Sequence, residues 1–210
     1  DFSSMPDTVI EGRKVINNVQ KASSLFFMKT LFSIIFSILV IVIRQPYPFT
    51  TSNMLLFEWF VIGIPSFILA FLPNDKPIEG KFIYNLIKNA LPGALTLVLN
   101  VAAVYLFNYF VHESIADNIS VVETMSTLVL TLTGLAMLYR LCKPFNPITV
   151  FLFSAMLILC VTCIFAWPVT FGIIPFSQLV VEDVLFVLVL AFASPTIITV
   201  IYKLMDKVKF

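Results

Sequence analysis

The sequence contains few charged residues. Lysine, arginine, aspartate and glutamate make up 12% of its 210 residues, whereas soluble domains carry about a quarter. The net charge at neutral pH is only +1, so the chain lacks the strongly basic surface with which proteins bind nucleic acids. Long polar stretches are also missing, which leaves no room for a separate soluble domain.

Cysteine is scarce too, with three in the chain. Cys160 and Cys163 have the Cys-x-x-Cys spacing that indicates a redox or metal dithiol in soluble proteins. This pair lies within an apolar stretch, where a buried cysteine behaves as a small hydrophobic residue. We therefore interpret both cysteines as packing residues.

Apolar residues dominate instead. They account for 60% of the sequence, and the mean hydropathy is +1.01, so we predict an integral membrane protein. A helix needs about 20 apolar residues to cross about 30 Å of hydrocarbon. Six stretches are long enough, and they predict an all-α fold with six transmembrane helices near Ser24–Ile43, Asn53–Leu72, Ile87–Val111, Val122–Leu141, Pro147–Ala166 and Val184–Tyr202.

The charges between these stretches predict the orientation of the helices, because cytoplasmic connections are rich in lysine and arginine. One side of the predicted bundle carries Arg13, Lys14, Lys21, Lys76, Lys81, Lys88, Arg140, Lys143, Lys203, Lys207 and Lys209. The other side carries Arg44 together with the acids Glu113, Asp117, Glu182 and Asp183. We therefore expect both termini on the cytoplasmic side.

The first helix is expected to begin before the membrane. Residues 8–20 are polar but compatible with a helix, and Pro6 suits a helix start. No helix breaker separates this segment from Ser24, so the segment and the first span form one predicted helix of more than about thirty residues. We divide the chain into a cytoplasmic linker and stalk helix, residues 1–22, and a six-helix transmembrane domain, residues 23–210.

One carboxylate, Glu58, lies well inside a predicted span, whereas the others lie in connections or at span ends. A charge in hydrocarbon costs at least about 2.5–3.5 kcal/mol on insertion scales, so a charged residue there is expected to be paired with another group or to have a function. Gly63-Ile64-Pro65 follows on the same helix and is expected to break it, which frees backbone carbonyls. A carboxylate beside an opened helix suits a cation site.

Two segments resemble the P-type cation-transporting ATPases. The first reads Asp1-Phe-Ser-Ser-Met-Pro-Asp, then Glu11-Gly12-Arg13 and Ile16-Asn17-Asn18; in that family, similar residues link the phosphorylation domain to the fifth transmembrane helix. The second, Glu58-Trp-Phe-Val-Ile-Gly63-Ile-Pro65, occupies the place of the sixth helix's Asn-Leu-x-Thr-Asp-Gly-x-Pro motif. The resemblance covers the whole chain. It implies that the six spans correspond to helices five to ten of a pump from the bacterial calcium-pump-like branch.

The resemblance also implies a set of metal ligands. Glu58 falls where the motif has Asn, and Ile62 falls where it has the ion-binding Asp. Residues i and i+4 share a helix face, so Glu58 is expected on the side of the missing Asp. Thr30 and Ser33 fall where calcium pumps have Asn and Glu. We expect Glu58, Thr30 and Ser33 to bind one divalent ion per cycle, or a different cation.

Three further residues are candidates for the lining of this site: Lys29, Gly63 and Pro65. Lys29 either extends to the cytoplasmic surface or turns inward, where it pairs with Glu58 as a tethered cation and weakens divalent binding. Plainer interpretations stay open for the others: Thr30 and Ser33 as contacts between membrane helices, and Glu58 as a structural ion pair or a protonated buried acid.

The resemblance predicts the membrane half of an ATP-driven pump in the plasma membrane, with Ca²⁺ as the transported cation. The chain has neither an Asp-Lys-Thr-Gly-Thr phosphorylation sequence nor a Gly-Asp-Gly hinge, so it contains no catalytic or cofactor-binding residue. ATP and Mg²⁺ would bind in cytoplasmic domains outside it. The expected partners are those domains, the N-terminal transmembrane helices and the lipid bilayer. The alternatives are a related pump for Mg²⁺, Mn²⁺, K⁺ or H⁺, and a self-contained six-span channel or scaffold protein.

Overall fold

The computed structural model describes residues 5–72, 81–111 and 118–207, with side chains from residue 8 onward. The regular structure in these ranges is helical throughout, which confirms the predicted all-α class. The helices are α1 Met5–Ile43, α2 Thr51–Phe57, a π-helical segment Glu58–Gly63, α3 Ile64–Ala70, α4 Phe82–Val111, α5 Ile119–Leu141, α6 Pro147–Ala166 and α7 Val181–Lys207, with short 3₁₀ turns at Pro168–Phe171 and Phe176–Gln178.

Within these described ranges, six helices are long and apolar enough to cross a membrane, as predicted. The second of them joins α2, the π-helical segment and α3 into one span, Thr51–Ala70. The opening Asp-Phe-Ser-Ser of the first motif lies outside the described residues, as do four charges used for orientation: Lys76, Glu113, Asp117 and Lys209. The chain is a multi-pass membrane protein.

Helix α1 confirms the expected continuous stalk and span, since it runs unbroken for 39 residues. The stalk is fastened to the second span by Asn18, which is buried although its neighbours on the stalk are mostly exposed. Its Nδ2 donates to the carbonyl of Ala70 at 3.2 Å and also to that of Leu72. Ala70 is the last residue of α3 and Leu72 lies just beyond it, so Asn18 caps the end of that helix from outside.

Helix α5 lies at the centre of the bundle, and its apolar residues are buried on almost every side. A buried polar cluster joins it to two neighbours. Asn100 of α4 donates to Thr133 of α5 at 2.9 Å and to Ser194 of α7 at 2.8 Å, and the two hydroxyls are 3.0 Å apart. Hydrogen bonds between membrane helices stabilise the bundle where the hydrophobic effect does not, so this cluster fixes the contact of α4, α5 and α7.

The connection between α1 and α2 folds back into the bundle. The ring of Phe49 packs edge-on against Phe32 of α1, with centroids 5.9 Å apart, and Tyr47 packs against Phe36 at 6.0 Å. Tyr105 of α4 donates its hydroxyl to the Pro46 carbonyl at 2.6 Å. The second span therefore begins inside the bundle, alongside α1, and not level with the end of α1.

Close packing of α5 against the second span depends on Gly134. A Cβ atom at this position would lie 2.6 Å from the ring of Phe57 and 2.8–2.9 Å from the methyl groups of Val61. Both partners are fully buried, so neither has room to withdraw. They flank Glu58 on the second span, and the position of that residue therefore depends on this contact.

We expect Gly134→Ala to destabilise the protein by about 1–3 kcal/mol, because overpacking forces rotamer and backbone shifts. The measurement is the free energy of unfolding in detergent, by thermal or chemical denaturation. The matched control is Gly12→Ala on α1, where a Cβ atom meets nothing within 4 Å. Equal stability of the two variants would show that the contact of Gly134 is not tight.

Candidate cation site

The second span widens into a π-helix at the predicted break, from Glu58 to Gly63. The Ile64 N–H donates to the carbonyl of Trp59, five residues back, instead of to that of Phe60. In a π-helix the donor to Phe60 would be residue 65, but this is a proline without an N–H. The Phe60 carbonyl has therefore lost both of its helical donors. Single π-turns of this kind occur frequently at functional sites.

The expectation of a broken helix was therefore only half right. Gly63 and Pro65 do not end the helix, which continues through them to Ala70. Gly63 allows the wider turn because a Cβ atom there would lie 3.1 Å from the Glu58 carbonyl, a close contact. In the apolar core of a membrane, exposed peptide groups are costly, so one widened turn is favoured over several unpaired residues.

Glu58 forms an ion pair with Lys29 of α1, in which Lys29 Nζ donates to Glu58 Oε1. About one third of each side chain is exposed. Of the two fates left open for Lys29, the structure shows the inward one, in which it neutralises Glu58. The pair joins the first two spans at the π-helical segment.

The other sequence candidates lie around this pair but have different partners. Thr30 is exposed and donates to the Phe26 carbonyl of its own helix at 3.0 Å. Ser33 is half-buried and is hydrogen-bonded to Tyr47. Pro65 is buried and Gly63 is exposed.

Ile62, at the position of the family's ion-binding Asp, is 1% exposed, whereas Glu58 is one-third exposed. A shared face was expected from α-helical spacing, and the π-turn between them changes that spacing.

Freed carbonyls were expected beside Gly63-Ile64-Pro65, and the missing N–H of Pro65 accounts for the one at Phe60. Two other features near the site were not predicted from the sequence. The role of Asn18 has a signal in the sequence, because this polar residue lies within the motif that resembles the pumps. The inward path of the connection with Tyr47 has no such signal, since hydropathy does not show the path of a loop.

The described residues supply little charge for a metal. They contain no group of three or more His, Cys, Asp or Glu side chains that could hold an ion. Glu58 and the Phe60 carbonyl therefore provide only part of the six to eight oxygens that Ca²⁺ prefers. A complete calcium site requires ligands from elsewhere.

Curated relatives of the chain are cation pumps. The chain is 29% identical over 154 residues to the probable cation-transporting ATPase exp7 of Streptococcus pneumoniae serotype 4. The matched region covers 70% of the chain and 19% of that relative. It is 30% identical over 155 residues to the calcium-transporting ATPases CtpE of Mycolicibacterium smegmatis and Mycobacterium bovis, covering 69% of the chain. The chain is homologous to the P-type cation-transporting ATPases. No protein-family model matches it.

The chain spans about one fifth of the length of these P-type ATPases. The match therefore concerns only one part of such a pump. The homology disfavours the self-contained channel or scaffold.

We expect the ion pair to be coupled energetically. Lys29→Met leaves the Glu58 carboxylate without its cation, and Glu58→Gln leaves the Lys29 ammonium without its anion. Breaking a partly buried pair from one side is more costly than removing both charges. Each single variant should therefore unfold at a lower temperature in detergent than the double variant, by an amount equivalent to about 1–3 kcal/mol. Additive losses in the double variant would contradict this coupling.

Proposed function

We propose that the chain forms part of the membrane domain of an ATP-driven cation pump in the plasma membrane, with Ca²⁺ as its transported ion. The observation that carries this proposal is the Lys29–Glu58 pair on the π-helical segment, in which the Phe60 carbonyl has lost its helical donors. The names of the relatives support Ca²⁺ as the transported ion, since two of those described above are calcium-transporting ATPases.

Glu58 is the charged ligand in this proposal. Its carboxylate offers one or two oxygens, and the Phe60 carbonyl offers one more. Thr30 and Ser33 stay predicted ligands that would have to exchange their present partners, Phe26 and Tyr47, for the ion. The remaining oxygens come from water and from transmembrane helices outside this chain.

Lys29 acts as the counter-charge of the empty site. A cation that reaches Glu58 must displace the ammonium group, because both compete for the same oxygens. When the cation leaves, Lys29 returns and prevents Glu58 from standing uncompensated in a medium of low dielectric constant. The site thereby keeps a similar net charge in both states.

ATP and Mg²⁺ act in cytoplasmic domains beyond this chain. Helix α1 is suited to transmit their movement, because it is a single rod of 39 residues that reaches from the stalk to Lys29 and beyond. Asn18 attaches this rod to the end of α3.

A second cargo class is favoured by the same ion pair. With Glu58 already neutralised by Lys29, the described residues bring no surplus negative charge to the site. A proton or a monovalent cation needs less negative charge than a divalent ion. A pump of this family for another cation is therefore the alternative that the test must separate.

We expect Glu58→Gln to abolish cation-stimulated phosphorylation of the complete pump by ATP, because the amide cannot supply the charge that binds the ion. The measurement is phosphoenzyme formation with Ca²⁺, Mg²⁺, Mn²⁺ and K⁺, each at several pH values. Glu182→Gln, an exposed acid at the start of α7, is the matched control and should behave like the wild type. Unchanged ion dependence in Glu58→Gln would exclude Glu58 as a ligand.

We expect Lys29→Met to raise the apparent affinity for the transported cation, since the competing ammonium is gone. A gain of about tenfold corresponds to about 1.4 kcal/mol. Lys29→Arg keeps the charge and should stay close to the wild type. The ion whose apparent affinity rises in Lys29→Met identifies the cargo, and an unchanged affinity for every tested ion refutes the competition.

A further inference from the structure

A second site lies at the end of the bundle that carries most of the basic residues. A cavity of about 480 Å³ opens between α1, α4, α5 and α7, next to the connection that follows α5. This volume is within the range of small-molecule sites, about 300–1,000 Å³. The cavity is separate from the Glu58 site, since it includes neither Glu58 nor Lys29.

Three cations line the cavity: Lys21 of α1, Arg140 near the end of α5, and Lys143 just after it. None of the described residues that line it is a carboxylate. Lys21 Nζ is 3.5 Å from the carbonyl oxygen of Lys143, so the charges from two elements converge on one opening. These residues place positive charge at a concave surface, which favours the binding of an anion.

Tyrosine rings hold two of these cations in place. The guanidinium carbon of Arg140 is 3.7 Å from the centroid of the Tyr202 ring, and Lys143 Nζ is 4.8 Å from that of Tyr139. Stacking uses the flat face of a guanidinium and leaves its N–H edge able to donate. Among the described residues, the ion pairs of the structure do not include Arg140 or Lys143. Asp206, four residues after Tyr202 on α7, is paired with Lys88.

Part of the cavity lining is apolar. It includes Ala136 of α5 and Pro195 and Ile198 of α7, which lie further from the helix ends than Arg140. Both helices are long and apolar enough to span the membrane. The cavity thus has a cationic rim near the end of the spans and an apolar wall deeper along them. A small soluble anion uses only the rim, whereas a phospholipid uses both.

We propose that this cavity binds an anionic phospholipid, with its phosphate between Arg140, Lys143 and Lys21 and an acyl chain along Ile198. Basic cavities between membrane helices recognise anionic headgroups on the cytoplasmic side, the side on which the positive charges of this chain are predicted to lie. The bound lipid bridges the stalk helix, the central helix and the last helix.

The test is a titration of the complete protein in detergent with phosphatidylglycerol, followed by native mass spectrometry. Phosphatidylcholine with the same acyl chains serves as the zwitterionic probe. The wild type should retain phosphatidylglycerol and release phosphatidylcholine. Each basic residue near a membrane surface contributes about fivefold to the affinity for anionic lipid. Arg140→Gln/Lys143→Gln should therefore bind phosphatidylglycerol about 25-fold more weakly.

The matched control is Lys203→Gln/Lys207→Gln, which removes two exposed charges from the end of α7 without touching the cavity. Retention within about twofold of the wild type supports a specific site, because a general surface charge weakens equally in both double variants. An equal loss in the control therefore overturns the proposal. Equal retention of the two lipids by the wild type overturns it as well.

An excess of inorganic phosphate separates the two possible sources of the anion. Phosphatidylglycerol should stay bound in its presence, because the free ion makes no contact with the apolar wall. Loss of the lipid to phosphate would show a site for a soluble anion and would refute the lipid.

The single variant Lys143→Gln tests the site even if the double variant misfolds, because Lys143 is exposed and its substitution should not disturb the fold. It should fold like the wild type by size-exclusion chromatography and bind phosphatidylglycerol about fivefold more weakly. A folded Lys143→Gln variant with wild-type retention contradicts the site.

Discussion

The charge on Glu58 sets the main constraint on this bundle. A carboxylate within a membrane span is stable only when another charge or several donors compensate it, and here Lys29 of the first span provides the compensation. Lys29 lies 14 residues before the end of α1, whereas Glu58 lies seven residues after the start of α2. At 1.5 Å per residue these offsets are about 21 Å and about 10 Å. For the two charges to meet, the second span must begin deeper in the bundle than the first span ends.

The connection between these helices meets that requirement with aromatic side chains. Phe49 packs on Phe32, and Tyr47 packs on Phe36 and is hydrogen-bonded to Ser33. All three partners lie on α1 between Lys29 and the end of the helix, so they hold the connection low. The bond from Tyr105 to the Pro46 carbonyl satisfies one polar group of this inward turn. The phenylalanines of α1 thus do more than face lipid, because they set the depth of the π-helical segment.

Hydropathy predicted the spans well because membrane helices are defined by length and apolarity alone. The span Pro147–Ala166 was predicted with its observed bounds. The first helix is longer than its predicted span because it includes the polar stalk, and the bounds of the other spans differ by five residues or fewer. The site was less predictable. That Glu58 needs a partner follows from its burial, but which residue turns toward it depends on side-chain direction and on the depth of the connection. Likewise, Pro65 predicts a missing hydrogen bond, but hydropathy does not show whether the helix then breaks or widens into the observed π-turn.

The ion pair and the Asn18 cap both attach α1 to the second span, and their spacing matches on the two helices. Asn18 and Lys29 are 11 residues apart on α1, and their partners Ala70 and Glu58 are 12 residues apart on the other helix. These separations correspond to about 17 Å and about 18 Å along two antiparallel helices, so both contacts form without strain. A rigid helix that is attached at two such points cannot slide along its neighbour and keep both bonds. A shift of the stalk by one helical turn, about 5.4 Å, would either break the cap on α3 or pull Lys29 away from Glu58. The same geometry that places a charge pair inside the membrane therefore makes the state of that pair sensitive to the position of the stalk.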